Sequence, residues 1–395
     1  MKCVPISALP KLIDEVLTCM NSGKYDGKTI IWFGYTPHLS TLQKALMMNG
    51  RRIDFAIDND KKKWGLNSLG LIECRPPGVL TEHIENRVVF ISSVSKKSMM
   101  NQLINYGYEE EQIVCFKSPQ EHLAELRCKE FGELDGLRRI GLEESKALML
   151  ELMKHYRDFC ENHGLRYYLA EGTLLGAVRH KGFIPWDNDV DIFMPDTDYQ
   201  TFQRIYPVGG QYELLSWRSV EGFATVLNRL AVSDTLLLMS SPIDYLPIGV
   251  CIDVAPLGGF HADKQSREKR FREIYEQNWK WMSMRYYLDY CDNKTEVFEE
   301  MERIKFLDAY DSSDYVGMLH FVSKRIPPWA VPRTYFSETV DLEFEGEFFK
   351  APAGYDEYLT ERYGDYMTLP PEKERFVHDF SSYWLDGKPL KLLGE

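Results

Sequence analysis

Leu169 to Met194 reads LAEGTLLGAVRHKGFIPWDNDVDIFM, a small-residue turn followed by carboxylates at every second position. The short aromatic and aliphatic run Arg166 to Ala170 suits a strand, and Glu171-Gly172-Thr173 ends it where a backbone can come close to an anion. Thr173 is placed to cap a helix over Leu174 to Arg179, so that free N–H groups and a hydroxyl point at the same spot. Beyond it, Asp187, Asp189 and Asp191 alternate with Asn188, Val190 and Ile192. In an extended strand the three carboxylates share one face, about 6.5 Å apart in succession, while Val190 and Ile192 turn to the core.

Carboxylates held that close repel one another unless a cation lies between them. Hard oxygen ligands suit Mg²⁺ or Mn²⁺, and such an ion offsets the charge of a diphosphate as its bond breaks. An acidic turn that caps a helix or solvates a loop would carry the same letters. The glycine turn, the basic cluster Arg179-His180-Lys181 and the flanking β-branched residues nevertheless agree on a single site.

The run Gly172-Thr173-Leu174-Leu175-Gly176-Ala177-Val178-Arg179, with Lys181 to Asp187 and Asp189-Val190-Asp191-Ile192, resembles the signature of the LicD family. That family includes bacterial phosphocholine transferases and, more distantly, fukutin and fukutin-related ribitol-phosphate transferases. The resemblance implies a nucleotidyltransferase-like fold in which a Gly-Ser/Thr turn and a D-x-D strand bind a metal–nucleotide. Two later segments extend it. In Pro247 to Leu257, PIGVCIDVAPL, Asp253 stands alone among apolar neighbours, a costly charge unless paired or metal-bound, and is the third carboxylate. Gly354-Tyr355, Tyr358-Leu359, Tyr363-Gly364-Asp365-Tyr366-Met367, Leu369-Pro370-Pro371 and Arg375 match the closing motif, so the likeness covers about Gly141 to Phe380. Asn188 departs from the Asp usual at its position, and Asp196 stands where many members carry Arg.

A chain of 395 residues has room for two domains, each with a core of its own. A net charge of −13 with no basic tract argues against nucleic acid as the partner. No apolar stretch approaches the roughly 18 residues of a spanning helix, and Met1 to Met20 carries Lys2, Lys11, Asp14 and Glu15, unlike a secretory signal. The expectation is a cytoplasmic protein with at most peripheral membrane contact. Eight scattered cysteines without a C-x-x-C pair are expected to be reduced, forming neither disulfides nor a zinc site.

Residues 1–128 read as a small Rossmann-like parallel α/β unit: strands at Lys28–Phe33, Ile53–Ile57, Val88–Ile91 and Gln112–Phe116 alternate with helices at Ser40–Met48 and Lys97–Tyr106. Gly34 and Asp58 invite a dinucleotide reading, but Gly34-Tyr35-Thr36-Pro37-His38-Leu39 lacks two of the three glycines that a phosphate turn requires. Residues 129–395 are the catalytic domain, expected to be a mixed sheet with helices. A helix over Leu142–His163, stopped by Gly164, leads into the Arg166–Ala170 strand. The aromatic run from Phe271 to Tyr290 suits core packing better than a ligand platform.

The expected chemistry is transfer of a substituted phosphate, phosphocholine or similar, from a CDP-activated alcohol to a hydroxyl of a glycan or its lipid-linked precursor. Asp189 and Asp191 would hold Mg²⁺ or Mn²⁺, and Asp253 would complete the metal site or take the acceptor proton. Gly172 and Thr173 would cradle the donor phosphates; Arg179 and Lys181 would offset phosphate charge or form a solvated turn; and the resemblance adds Trp186 to the donor-binding set. Arg229 is expected on a structural carboxylate, and neither His180 nor His378 has a motif that marks it as a general base. A nucleotidyltransferase, which leaves the nucleotide on its product, would use the same carboxylates. A non-catalytic glycan-assembly partner would not need them.

Overall fold

The computed structural model describes residues 6–7, 9–36, 38–68, 70–122, 125, 134, 136–216, 218–219, 227–240, 244–274, 299, 302–303, 306, 308–319, 329–372, 375 and 380–387. The aromatic run after Ile274, His378 and the boundary expected at 128/129 lie outside these residues.

The first half alternates strand and helix, as its periodicity predicts. After β1 (Ile6–Ser7) and α1 (Leu9–Asn21) come β2 (Thr29–Phe33), α2 (Leu39–Met48), β3 (Phe55–Ile57), β4 (Asn67–Ser68), β5 (Ile72–Arg75), β6 (Arg87–Ile91), α3 (Lys96–Asn105) and β7 (Ile113–Cys115). The sheet order is β4-β5-β3-β2-β6-β7, parallel except for the β4–β5 pair. Its central strands are buried on both faces, which is why they read as apolar runs without alternation. Strand order reverses beside β2, the first long strand, as in doubly wound folds. Helix α1 buries Leu9, Leu12, Ile13, Val16 and Met20, a spacing that lines one helical face. Neither α1 nor β4 and β5 is among the elements that the sequence pattern predicts. Strands of two and four residues carry too little pattern to stand out.

The second half opens with β8 (Arg139–Ile140) and α4 (Leu142–Asn162), and Gly164 at φ +65° ends the helix as expected. There follow β9 (Tyr168–Leu169), α5 (Glu171–His180), β10 (Asp191–Pro195), α6 (Asp196–Ile205), β11 (Tyr212–Leu215), β12 (Asn228–Val232), β13 (Thr235–Ser240), β14 (Asp244–Ile248) and β15 (Cys251–Phe260). The chain closes with β16 (Tyr315–Met318), β17 (Val331–Pro332), a hairpin of β18 (Thr339–Phe344) and β19 (Glu347–Pro352), α7 (Tyr355–Tyr363) and β20 (Phe380–Trp384).

A seven-stranded mixed sheet runs β11-β12-β15-β10-β9, with β16 and β17 added along the far end of β15. Its one parallel pair, β10 with β15, lies at the centre. The core packed on its two faces joins Tyr156 and Met153 of α4, Ile192 and Phe193 of β10, Ile252 and Val254 of β15, and Tyr358 of α7. A second sheet, β1-β14-β13-β20-β8, is antiparallel throughout and draws its first strand from the start of the chain, with Ile6 opposite Tyr245. The run Pro247 to Leu257 is not one strand: Pro247 and Ile248 end β14, and the chain passes into the other sheet at Gly249-Val250. A side chain at Gly249 would strike the Val232 carbonyl, so the crossing fits only glycine.

Candidate active site

Three elements converge on the acidic centre. Strand β10 begins at Asp191, directly beside Asp253 of β15 in parallel register. Register partners on neighbouring strands point to one side about 4.8 Å apart, so these two carboxylates share a face. Arg229 of β12 is the partner of Asp253 on the other flank, and its Nε donates to Asp253 Oδ1 at 2.8 Å. The arginine expected on a structural carboxylate therefore grips a member of the acidic centre.

The expectation that Asp187, Asp189 and Asp191 line one strand needs correction. The ladder starts at Asp191, and residues 187–190 approach it as irregular chain. The cause is local: Asp187 N–H donates to the Ile184 carbonyl and Asn188 N–H to Asp187 Oδ1, bonds that compete with strand pairing. Lys146 of α4 supports the same loop by donating to the Pro185 carbonyl at 3.2 Å. The acidic charges still meet. Burial first, then the negative charges of Asp189, Asp253, Glu171 and Asp187, push the Asp191 carboxyl well above the ordinary carboxylate range.

Thr173 is not a helix cap. Helix α5 starts two residues earlier, at Glu171, so Thr173 lies inside the first turn, and its buried Oγ1 accepts the Asp191 N–H at 2.9 Å. The hydroxyl thereby ties the glycine turn to the first residue of the acidic strand. Gly172 fits against the loop: a Cβ there would lie 2.7 Å from Asp187 Oδ2.

Glu171 is the residue whose importance the sequence does not announce. Its backbone has φ +40°, in the left-handed region that costs a non-glycine residue on the order of 1–2 kcal/mol. Its carboxylate accepts from Tyr358 Oη at 3.1 Å, Tyr363 Oη at 2.8 Å and Arg362 Nε at 3.1 Å, all from α7. The Glu171–Arg362 pair is largely shielded, with side chains 13% and 11% exposed. The closing motif contains both tyrosines, but nothing local points Arg362 at a residue 191 positions away.

The basic and aromatic candidates sit around the rim. Arg179 donates to the Tyr366 carbonyl at 2.7 Å, so it braces the segment after α7 and is not a solvated turn residue. Lys181 is exposed at the left-handed end of α5, and its carbonyl accepts the Glu345 N–H from the hairpin tip. The Arg375 guanidinium lies 4.4 Å from the Trp186 ring centre, and the His180 ring meets the same indole edge-on at 6.3 Å. Burial, then Arg179, lowers the His180 pKa, which keeps that imidazole from acting as a ready cation. Asp196 faces away from this centre: 1% exposed, it accepts from Thr197 N at 2.7 Å and Tyr310 N at 3.3 Å.

The donor types at Asp189, Asp191 and Asp253 are those a hard divalent cation takes. Among the described residues, however, no three His, Cys, Asp or Glu side chains already close around a metal position. The described residues also contain no helix long and apolar enough to cross a membrane.

Comparison with known proteins agrees with the sequence signature. Residues 164–225 match the family model described as LicD/FKTN/FKRP, nucleotidyltransferase domain. The lipopolysaccharide cholinephosphotransferase LicD of Haemophilus influenzae is 27% identical over 267 residues, 63% of this chain and 100% of that protein. The ribitol 5-phosphate transferase FKRP of human and of mouse is 59% identical over 32 residues, 8% of this chain and 6% of theirs. An uncharacterised protein of Rickettsia typhi is 41% identical over 83 residues, 21% of this chain and 26% of its own length. Residues 164–225 are thus similar to the LicD family's nucleotidyltransferase domain, and the relatives named as phosphotransferases support an enzyme of the LicD transferase type.

Proposed function

We propose that this chain transfers a substituted phosphate, phosphocholine or a similar group, from a CDP-linked alcohol to a hydroxyl of a cell-surface glycan or its lipid-linked precursor. The observation that carries the reading is the pairing of Asp191 with Asp253 at the centre of the mixed sheet, tied through Thr173 to the Gly172 turn. That arrangement sets acidic oxygens beside a backbone turn free of side chain, as a nucleotide diphosphate with its cation requires. It is the use of these parts expected in a nucleotidyltransferase-like arrangement, and the cytoplasm, where CDP-alcohols are made, is the compartment that fits.

Asp189, Asp191 and Asp253 would hold Mg²⁺ or Mn²⁺, which supplies charge neutralisation at the phosphates. Asp253, which pairs with Arg229, is assigned the ligand role, with acceptance of the acceptor proton as the alternative. Gly172 makes room for Asp187 Oδ2 against the turn and would meet the donor through its backbone, while Thr173 spends its hydroxyl oxygen on Asp191 and offers the donor only its O–H proton and backbone. Lys181 and the Trp186–Arg375 pair would meet the rest of the donor at the rim. In the reaction the acceptor oxygen forms a bond to the phosphorus that carries the alcohol head group. The bond from that phosphorus to the bridging oxygen breaks, CMP leaves with the electron pair, and the proton of the acceptor hydroxyl passes to solvent or to the departing CMP phosphate.

Purified protein incubated with Mg²⁺, CDP-choline and a glycan extract gives the test, with products weighed by mass spectrometry. A glycan heavier by phosphocholine, with release of CMP, is the expected result. A gain of CMP on the acceptor would mean a nucleotidyltransferase, and no change with CDP-choline, CDP-ribitol or CDP-glycerol would end the reading.

A further inference from the structure

Three hydrogen-bond donors on one face of a helix converge on a single carboxylate at the start of another. Tyr358, Arg362 and Tyr363 of α7 take both oxygens of Glu171, and Tyr358 is fully buried while doing so. Three donors fill three of the roughly four lone-pair positions of this carboxylate, which makes it an anchor between α5 and α7. What it fixes is backbone: Glu171 sits at φ +40°, a conformation that persists only where surrounding contacts hold it. The next two residues are Gly172, against Asp187, and Thr173, which carries the Asp191 N–H. Any relaxation at Glu171 therefore moves the turn, the loop carboxylate and the first residue of the acidic strand together.

We infer that Glu171 is a positioning residue for the phosphate-binding turn, and that α7 is the clamp that sets it. The inference rests on the reading of Gly172–Thr173 as the donor-phosphate cradle. It assigns a role to a helix 191 residues away in the chain from the turn it holds. It also explains why a tyrosine as accessible as Tyr363, 42% exposed, spends its hydroxyl on an acid instead of on water.

The test combines amide hydrogen exchange of peptide 169–178 with steady-state kinetics on CDP-choline, for the parent, Arg362→Gln, Arg362→Lys and Tyr363→Phe. Losing the charged donor should raise exchange across the turn and raise KM for the donor about tenfold, with kcat little changed, since a tenfold effect equals about 1.4 kcal/mol of lost binding. Arg362→Lys should restore part of both effects. Tyr363→Phe removes one neutral donor and should move both in the same direction by roughly two- to threefold, so the question stays answerable should Arg362→Gln not fold. Parent-like exchange in the folded variants would overturn the inference, and so would a loss of kcat and melting temperature with KM unchanged. A parent that turns over no CDP-alcohol would defeat the proposed function instead, leaving the exchange data to decide the clamp.

Discussion

Side chain by side chain, the acidic centre owes its character to where each carboxylate finds its counter-charge. Replacing Asp189 or Asp191 by Ala should abolish turnover of the CDP-alcohol while leaving the circular dichroism spectrum intact, and parent-like turnover in either would remove the metal assignment. Asp196 is the opposite case, a buried acid with backbone donors only, and burial raises its pKa to about 6. The native chain thus binds this proton more tightly than the unfolded chain. Its contribution to stability is fully present below about pH 4 and is lost as the pH rises through about 6. Asp196→Asn, which keeps one acceptor for Thr197 N–H, should stabilise the protein at pH 7.5 by at most about 3 kcal/mol and hardly at all at pH 4. Urea titrations at the two pH values check this, and an equal gain at both would refute it. The neighbouring positions of Asp191 and Asp253 follow from acids set in apolar runs, a local pattern that the strand pairing brings together, whereas the alternation that drew in Asp187 and Asp189 does not extend before Asp191. Arg362 was not legible in the sequence, because its only signal is a tertiary contact with Glu171.

At the scale of elements, the decisive joints are close approaches between backbones. Gly176 of α5 passes so near the Gly182 carbonyl that a Cβ would collide with a peptide group that cannot swing aside. At Gly172 the obstacle is the far end of the Asp187 side chain, which can rotate. The two alanine substitutions should therefore separate. Gly176→Ala is expected to cost about 1–3 kcal/mol of stability. Gly172→Ala is expected to melt near the parent temperature yet lose most of its turnover, because Asp187 and the cradle are displaced. Paired thermal melts and rate measurements decide it; equal stability losses would refute the distinction. Helix α4 and its glycine stop were readable from spacing alone, and so was the β–α alternation of the first half. The start of β10 was misjudged because the side chain of Asp187 captures the Asn188 amide, a competition that an alternating pattern of letters does not display.

Taken whole, the molecule sets a doubly wound sheet before a catalytic one, and the first invites comparison with nucleotide-binding folds. The invitation fails at Asp58, the acid at the end of β3 that would be asked to grip a ribose. Its Oδ2 accepts from Tyr35 N–H at 2.9 Å and Lys63 Nζ at 2.7 Å, and its Oδ1 from Asp60 N–H at 2.8 Å. The loop after β2 is filled in the same way: Tyr35 and Leu39 are fully buried, and His38, 6% exposed, has its pKa lowered to about 4 by burial. A pyrophosphate needs glycine backbone to approach, and this loop offers Gly34 followed by packed side chains. The chain should therefore bind neither NAD(H) nor NADP(H) in a catalytic mode. Isothermal titration calorimetry on the full chain is expected to give no heat of binding at micromolar concentrations. Micromolar binding accompanied by hydride transfer to a carbonyl compound would overturn the prediction and require the Asp58–Lys63 pair to open around the ligand.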